Sequence, residues 1–151
     1  MDKNQYIQFG CGMRTASGWR NFDASPTLGF ERLPILGRLY TKNNQRFPQG
    51  IEYGDIVEGL PVKPESCRGI YTSHVLEHLC LEDCRKALQA VYSLLRPGGI
   101  FRLVVPDLKV LASTYLGSNN QDAAHEFMQK SMLGIEKKPR TMIEIKMDFW
   151  P

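Results

Sequence analysis

Two glycines one residue apart, Gly10 and Gly12, follow directly on the apolar run Tyr6–Phe9. A strand that stops at Gly-x-Gly lets the backbone turn sharply and approach a ligand closely, because neither glycine has a Cβ. Cys11 between them reads as a small buried filler, since no basic residue in the sequence clearly activates it as a nucleophile. Carboxylates and histidines then recur after short apolar segments: Asp23, Asp55, His74 behind Thr72-Ser73, Glu77, His78 and Asp107. A carboxylate can accept hydrogen bonds from both hydroxyls of a ribose. A histidine or carboxylate within hydrogen-bond reach can take a proton from a hydroxyl or amine. His74 is the first candidate for such a base and Asp107 the second. Each has a plainer alternative: Asp55 suits a turn, Asp107 a helix cap, and His78 a cap or packing role. His74 and His78 are four residues apart, as are Cys80 and Cys84, so each pair would share a helix face. No third ligand has convincing spacing, and no metal is expected.

These residues need elements to carry them. Tyr6–Phe9, Trp19–Asp23, Ile51–Tyr53 and Gly69–Thr72 read as short strands, and Ile100–Val105 as a buried parallel one broken only by Arg102. Phe30, Leu33, Leu36, Leu39 and Tyr40 allow a short amphipathic helix in an otherwise interrupted segment. Leu81, Cys84, Leu88, Val91 and Leu95 recur at steps of three and four, which predicts a helix with these on one face. Arg96-Pro-Gly-Gly99 would end it with a turn. Pro106-Asp107 opens another helix through about Leu116, with Asp107 near its positive end. Asp122–Leu133 reads as a further helix, and Thr141–Phe149 alternates like a half-buried strand. Strands alternating with helices predict an α/β fold with a parallel sheet.

Taken in order, Gly10-Cys11-Gly12, Gly18-Trp19, Asn21-Phe22-Asp23, Tyr53-Gly54-Asp55, Leu60-Pro61, Tyr71 to His78 with its Leu76-Glu77-His78, and Leu95-Arg96-Pro97-Gly98-Gly99 carry a resemblance. The series resembles the class I S-adenosylmethionine (SAM)-dependent methyltransferases, and more narrowly their small type 11-like members, over roughly Tyr6 to Leu116. The resemblance implies a Rossmann-like three-layer sandwich with a mostly parallel sheet, SAM as cofactor, and methyl transfer to a small-molecule acceptor. It implies that Gly10, Cys11 and Gly12 pass under the methionine and ribose parts of SAM. Asp23 would hold the ribose, Asp55 the adenine amino group, and Ile56 would pack on the ring. Ser73 and His74 would face the methionine and the acceptor, from the switch point of the sheet.

Two departures stand out. Dinucleotide folds place the acid roughly 20 residues past the glycines, whereas Asp23 is eleven past Gly12. The first crossover helix must be nearly absent, with Gly18-Trp19 turning the chain back. Relatives also usually finish with two more strands than this sequence offers, so the C-terminal strands are expected to be truncated or atypical. Both departures favour an alternative, a catalytically degenerate SAM-binding module or subunit. A nucleotide-dependent oxidoreductase is disfavoured, because Gly-Cys-Gly-Met-Arg-Thr lacks the third glycine.

The sequence has 151 residues and a formal net charge of +3. That size suits one SAM-binding core over residues 1–116, with 117–151 as a helix and strand completing the sheet or exchanging in a homodimer. The basic cluster Lys137-Lys138-Pro139-Arg140 lacks interleaved aromatics, so no nucleic-acid partner is expected. No apolar run approaches a membrane span and the N-terminus lacks a signal-like segment. Four scattered cysteines do not make a disulfide framework, which points to a reducing cytoplasm.

Overall fold

Alternation along Tyr6-Ile7-Gln8-Phe9 sends Ile7 and Phe9 into a core where neither is more than 2% exposed. The computed structural model describes residues 5–34, 37 and 46–132. The strands are β1 (Gln5–Phe9), β2 (Arg20–Asp23), β3 (Ile51–Tyr53), β4 (Cys67–Ser73) and β5 (Leu95–Val104). The helices are α1 (Pro26–Glu31), α2 (Leu81–Leu94), α3 (Leu108–Leu116) and α4 (Ala123–Ser131), with a 3-10 turn at Leu76–His78. The strands form one parallel sheet in the order β3-β2-β1-β4-β5, flanked by helices, which is the Rossmann-like α/β fold expected. The chain steps outward from β1 to β3 and returns on the other side of β1 as β4. This reversal makes the carboxyl ends of β1 and β4 the switch point, where such sheets bind ligands.

Phe9 lies opposite Phe22, Asp23 opposite Tyr53 and Ile7 opposite Ile70. Ile7, Phe22, Leu28, Ile51, Cys67 and Ile70 are all essentially without solvent exposure. Burial of a large apolar side chain contributes about 1.5–3 kcal/mol, so the middle of the sheet is the main source of stability. Thr72 is equally buried, and its hydroxyl donates to the Phe9 carbonyl at 3.1 Å. The polar atom is thereby satisfied and β4 is pinned to β1 at the ligand end.

Two compact units divide the chain: Met1–Ser73 with Arg85–Leu103, and His74–Cys84 with Val104–Pro151. The sheet core and the buried residues of α2 belong to the first. The second contains the 3-10 turn, α3 and α4, where the Tyr115 and Phe127 rings stack with centroids 5.4 Å apart.

Three sequence-based expectations need correction. The buried stripe of α2 is Ala87, Val91 and Leu94, while Leu81 and Leu88 are exposed. Ala87, Val91 and Leu94 lie at steps of four and three on one helix face, and the small Ala87 is fully buried there. The turn expected at Arg96-Pro97-Gly98-Gly99 is instead the start of β5, which follows α2 without a loop. A Cβ at Gly99 would sit 2.8 Å from the Cys67 carbonyl, so the strand can approach β4 there only with glycine. Finally, β5 ends the strand order among the described residues, and Ile100 and Leu103 are exposed rather than buried. Leu36, Leu39, Tyr40, Lys137–Arg140 and Thr141–Phe149 lie outside the described residues.

One surface pair ties β2 to β3. Arg20 donates from Nε and Nη2 to the two Glu52 oxygens at 2.8 and 2.6 Å, and its guanidinium lies 4.8 Å from the Phe22 ring centroid. Hydrogen bonding from Arg20 holds the Glu52 carboxyl below its ordinary value. A lowered carboxyl value stabilises the fold above the unfolded value of about 4.3, and that stability is lost as pH falls through the folded value. The side chains are 34% and 44% exposed, so screening limits the pair to under about 1 kcal/mol. Glu52→Gln is therefore expected to cost less than about 1 kcal/mol at pH 7 and to flatten the acid limb of the stability curve. Urea midpoints across the acid range check this; an acid limb as steep as that of the parent would contradict it.

Candidate active site

Gly10 and Gly12 have φ of +64° and +54°, left-handed values that a side chain makes costly. No heavy atom beyond the immediate chain lies within 4 Å of a Cβ built on Gly12. Glycine is needed there for conformation, and the space on that side of the loop is open. The Cys11 N–H donates to the Phe22 carbonyl at 3.2 Å, carrying the β1–β2 pairing past the strand end. The Arg14 N–H closes a turn onto the Cys11 carbonyl at 3.0 Å.

Asp23 joins this loop to β2. Its Oδ2 accepts the Gly12 N–H at 2.8 Å and its Oδ1 accepts the Ser25 N–H at 2.8 Å. Two residues eleven apart in sequence thus meet directly at the carboxyl ends of adjacent strands. Burial, and secondarily the Asp23 carboxylate beside it, pushes the Cys11 thiol up to about 11. Cys11 is therefore a thiol near neutral pH and a poor nucleophile.

No helix separates β1 from β2, as the short spacing requires. Asn21 instead holds the second half of the connection, residues 16–19. It is 3% exposed; its Oδ1 accepts the Ala16 N–H at 2.9 Å, and its Nδ2 donates to the carbonyls of Trp19 at 2.9 Å and Ala16 at 3.4 Å. Trp19 packs on Tyr6 of β1, ring centroids 5.1 Å apart. Sequence reasoning passed over Asn21. The signal was available, because asparagine is disfavoured in strands and a buried amide must find partners.

Asp55 follows β3 by two residues, and its Oδ1 accepts the Val57 N–H at 2.9 Å, an Asx turn. Ile56 beside it is buried. Ser73 closes β4 and is half-buried.

His74 begins the second unit. Its φ is +56°, its N–H donates to the Val104 carbonyl at 2.9 Å, and its Nδ1 lies 2.9 Å from Glu77 Oε1. The sequence alone assigns Glu77 no role; the structure pairs it with His74, three residues before it. His78 ends the 3-10 turn, its N–H bonded to the Val75 carbonyl at 3.0 Å. Asp107 caps α3, where Oδ1 accepts the N–H groups of Lys109 at 2.9 Å and Val110 at 3.2 Å.

The residues of the first unit fit a nucleoside-bearing cofactor. Asp23 is only partly buried, and each of its oxygens has accepted one backbone N–H, which leaves a second lone pair on each for a pair of hydroxyls. The open side of Gly12 permits close backbone approach. Among the described residues, no group of three His, Cys, Asp or Glu side chains is placed to hold a metal ion. Nor is any described helix long and apolar enough to cross a membrane.

Residues 8–103, about two-thirds of the chain, match the family model described as "Methyltransferase domain". That span contains the Gly10–Gly12 loop, Asp23, Asp55, Ile56, Ser73 and His74, and stops short of Asp107. No curated protein matches the chain.

Proposed function

The chain belongs to the class I SAM-dependent methyltransferase family, and from that premise we propose that it transfers a methyl group from SAM to a small-molecule acceptor. The observation that carries the reading is the bond between the Gly12 N–H and the Asp23 carboxylate, which couples the glycine loop to the residue suited to a ribose. When bound, SAM supplies a sulfonium-activated methyl group that needs no further activation. The protein's work is then alignment and proton removal. Gly10, Cys11 and Gly12 bound the ribose and methionine parts, and Asp23 accepts from the ribose hydroxyls. Asp55 accepts from the adenine amino group beside Ile56, and Ser73 contacts the methionine end. His74 takes the proton of an acceptor hydroxyl or amine, with Asp107 as the second candidate. A reducing cytoplasm suits the free thiols of Cys11, Cys67, Cys80 and Cys84. A homodimer would cover the exposed apolar side chains of β5, Ile100 and Leu103.

A second reading is a SAM-binding module without turnover. It is favoured by Asp107, a candidate base whose Oδ1 caps α3 by accepting the N–H groups of Lys109 and Val110. Calorimetry with SAM and with NAD, followed by an assay of S-adenosylhomocysteine release over a panel of hydroxyl and amine acceptors, separates the readings. Saturable SAM binding without NAD binding, plus acceptor-dependent release, is expected. Binding without release on any acceptor would favour the second reading, and absence of SAM binding would sink both.

A further inference from the structure

We infer that Glu77 is a positioning residue for His74, holding its imidazole with the hydrogen on Nδ1 and leaving Nε2 as the base. The inference rests on the proposed methyl transfer and gives that site its proton acceptor. The geometry is local to one unit. The 3-10 turn Leu76–His78, anchored by buried Leu76, brings Glu77 back over the residue three before it. Glu77 Oε1 lies 2.9 Å from His74 Nδ1. An ionised carboxylate only accepts, so Nδ1 must be the donor and Nε2 keeps its lone pair.

Burial separates the two partners in a way that suits this division of labour. The Glu77 side chain is 9% exposed and the His74 side chain 59%. Glu77 Oε2 is buried with no hydrogen-bond partner among the described residues. A carboxylate so withdrawn from water gains when positive charge arrives beside it. Transfer of a proton from an acceptor O–H or N–H to Nε2 breaks that bond, forms Nε2–H and creates an imidazolium next to Glu77. The exposed ring then returns the proton to solvent. The backbone is committed to the same end. His74 holds a left-handed φ of +56°, and its N–H is fixed on the Val104 carbonyl. Such a conformation, uncommon in a residue with a side chain, persists where the surroundings impose it.

The test uses the full chain labelled with 15N-histidine, whose three histidines keep the spectrum simple. Long-range 1H–15N correlation is recorded at about pH 8.5, where an ordinary imidazole is neutral. His74 is expected as the Nδ1–H tautomer in the parent and in Glu77→Gln, whose amide oxygen still accepts. In Glu77→Ala the hydrogen moves towards Nε2, while His78 and His125 keep their parental signals. Nε2–H in the parent overturns the inference even if no variant folds. An Nδ1–H tautomer retained in Glu77→Ala overturns it as well. On an acceptor that supports S-adenosylhomocysteine release, Glu77→Ala should lower kcat about a hundredfold, with KM little changed and Glu77→Gln restoring only part of the rate, because it keeps the tautomer and loses the charge. An unchanged kcat in Glu77→Ala overturns the positioning role. The tautomer needs no SAM, so a parent that shows Nδ1–H yet turns over no acceptor counts against methyl transfer, and with it the base role, while the pairing geometry stands.

Discussion

Asp23→Ala is expected to weaken SAM binding by about 1–3 kcal/mol, roughly fivefold to a hundredfold and more in Kd, and to destabilise the fold by about 2–3 kcal/mol as well. The two effects share one origin. The carboxylate accepts the Gly12 and Ser25 N–H groups, so its removal leaves two backbone donors without the partners they have now. Hydrogen bonds to a charged acceptor are worth more than neutral ones, and the half-buried donors are only partly compensated by water. Gly12, in a left-handed conformation that the bond to Asp23 helps fix, is then free to sample others. Any ligand that needs the loop in one place must restore that order on binding. Asp23→Asn separates the contributions: one amide oxygen keeps an acceptor for the loop, while the charge and the second acceptor are gone. The order of SAM affinity should be parent, Asn, Ala. Titration calorimetry and urea unfolding on the three proteins check both halves. A parental SAM affinity in Asp23→Ala would remove Asp23 from the cofactor site, whatever happened to stability.

The same residue shows how far the sequence reached. Asp23 stood out because a carboxylate followed a short strand soon after Gly-x-Gly, and its distance of eleven residues already implied a crossover without a helix. Strand ends, the Gly10–Gly12 loop and the parallel order are written in short-range patterns: apolar runs, glycines and their succession. What the pattern did not contain was pairing across the fold. Glu77 and His74 are only three apart, but their contact depends on a left-handed φ at His74 and on the 3-10 turn that brings Glu77 back over it. The exposure of Ile100 and Leu103 depends on which strand ends the sheet, a property of topology rather than of their own segment. In α2, two apolar stripes run through Val91, and the one with Ala87 and Leu94 is buried, a choice made by what the helix packs against rather than by its own spacing. Asp107 was legible in both its capping and its chemical meanings, and only the capping bonds to Lys109 and Val110 are a matter of geometry.

Asn21→Ala is expected to cost about 2–4 kcal/mol, the largest stability loss from a single polar side chain in the first unit. The reasoning begins with what β1 and β2 lack. Parallel neighbours normally need a crossover of a dozen or more residues, usually a helix that satisfies its own backbone groups. Residues 10–19 are too few for that and make no helix. Asn21 substitutes by meeting the Ala16 N–H and the carbonyls of Ala16 and Trp19 from within the core. Alanine would leave those groups unpaired beside a cavity the size of the lost amide. Asn21→Asp is isosteric yet should do no better at neutral pH, because it loses both donors and buries a charge at a 3% exposed site. The loop between Asn21 and Gly12 is also the one that Asp23 holds, so the Asn21→Ala and Asp23→Ala effects should be less than additive. Once either clamp is gone, the loop has already lost much of what the other maintains. Urea unfolding of the two single variants and the double variant measures this coupling. An Asn21→Ala protein with the parental midpoint would show that the loop is held by something other than Asn21. Strict additivity would show that the two clamps hold it independently.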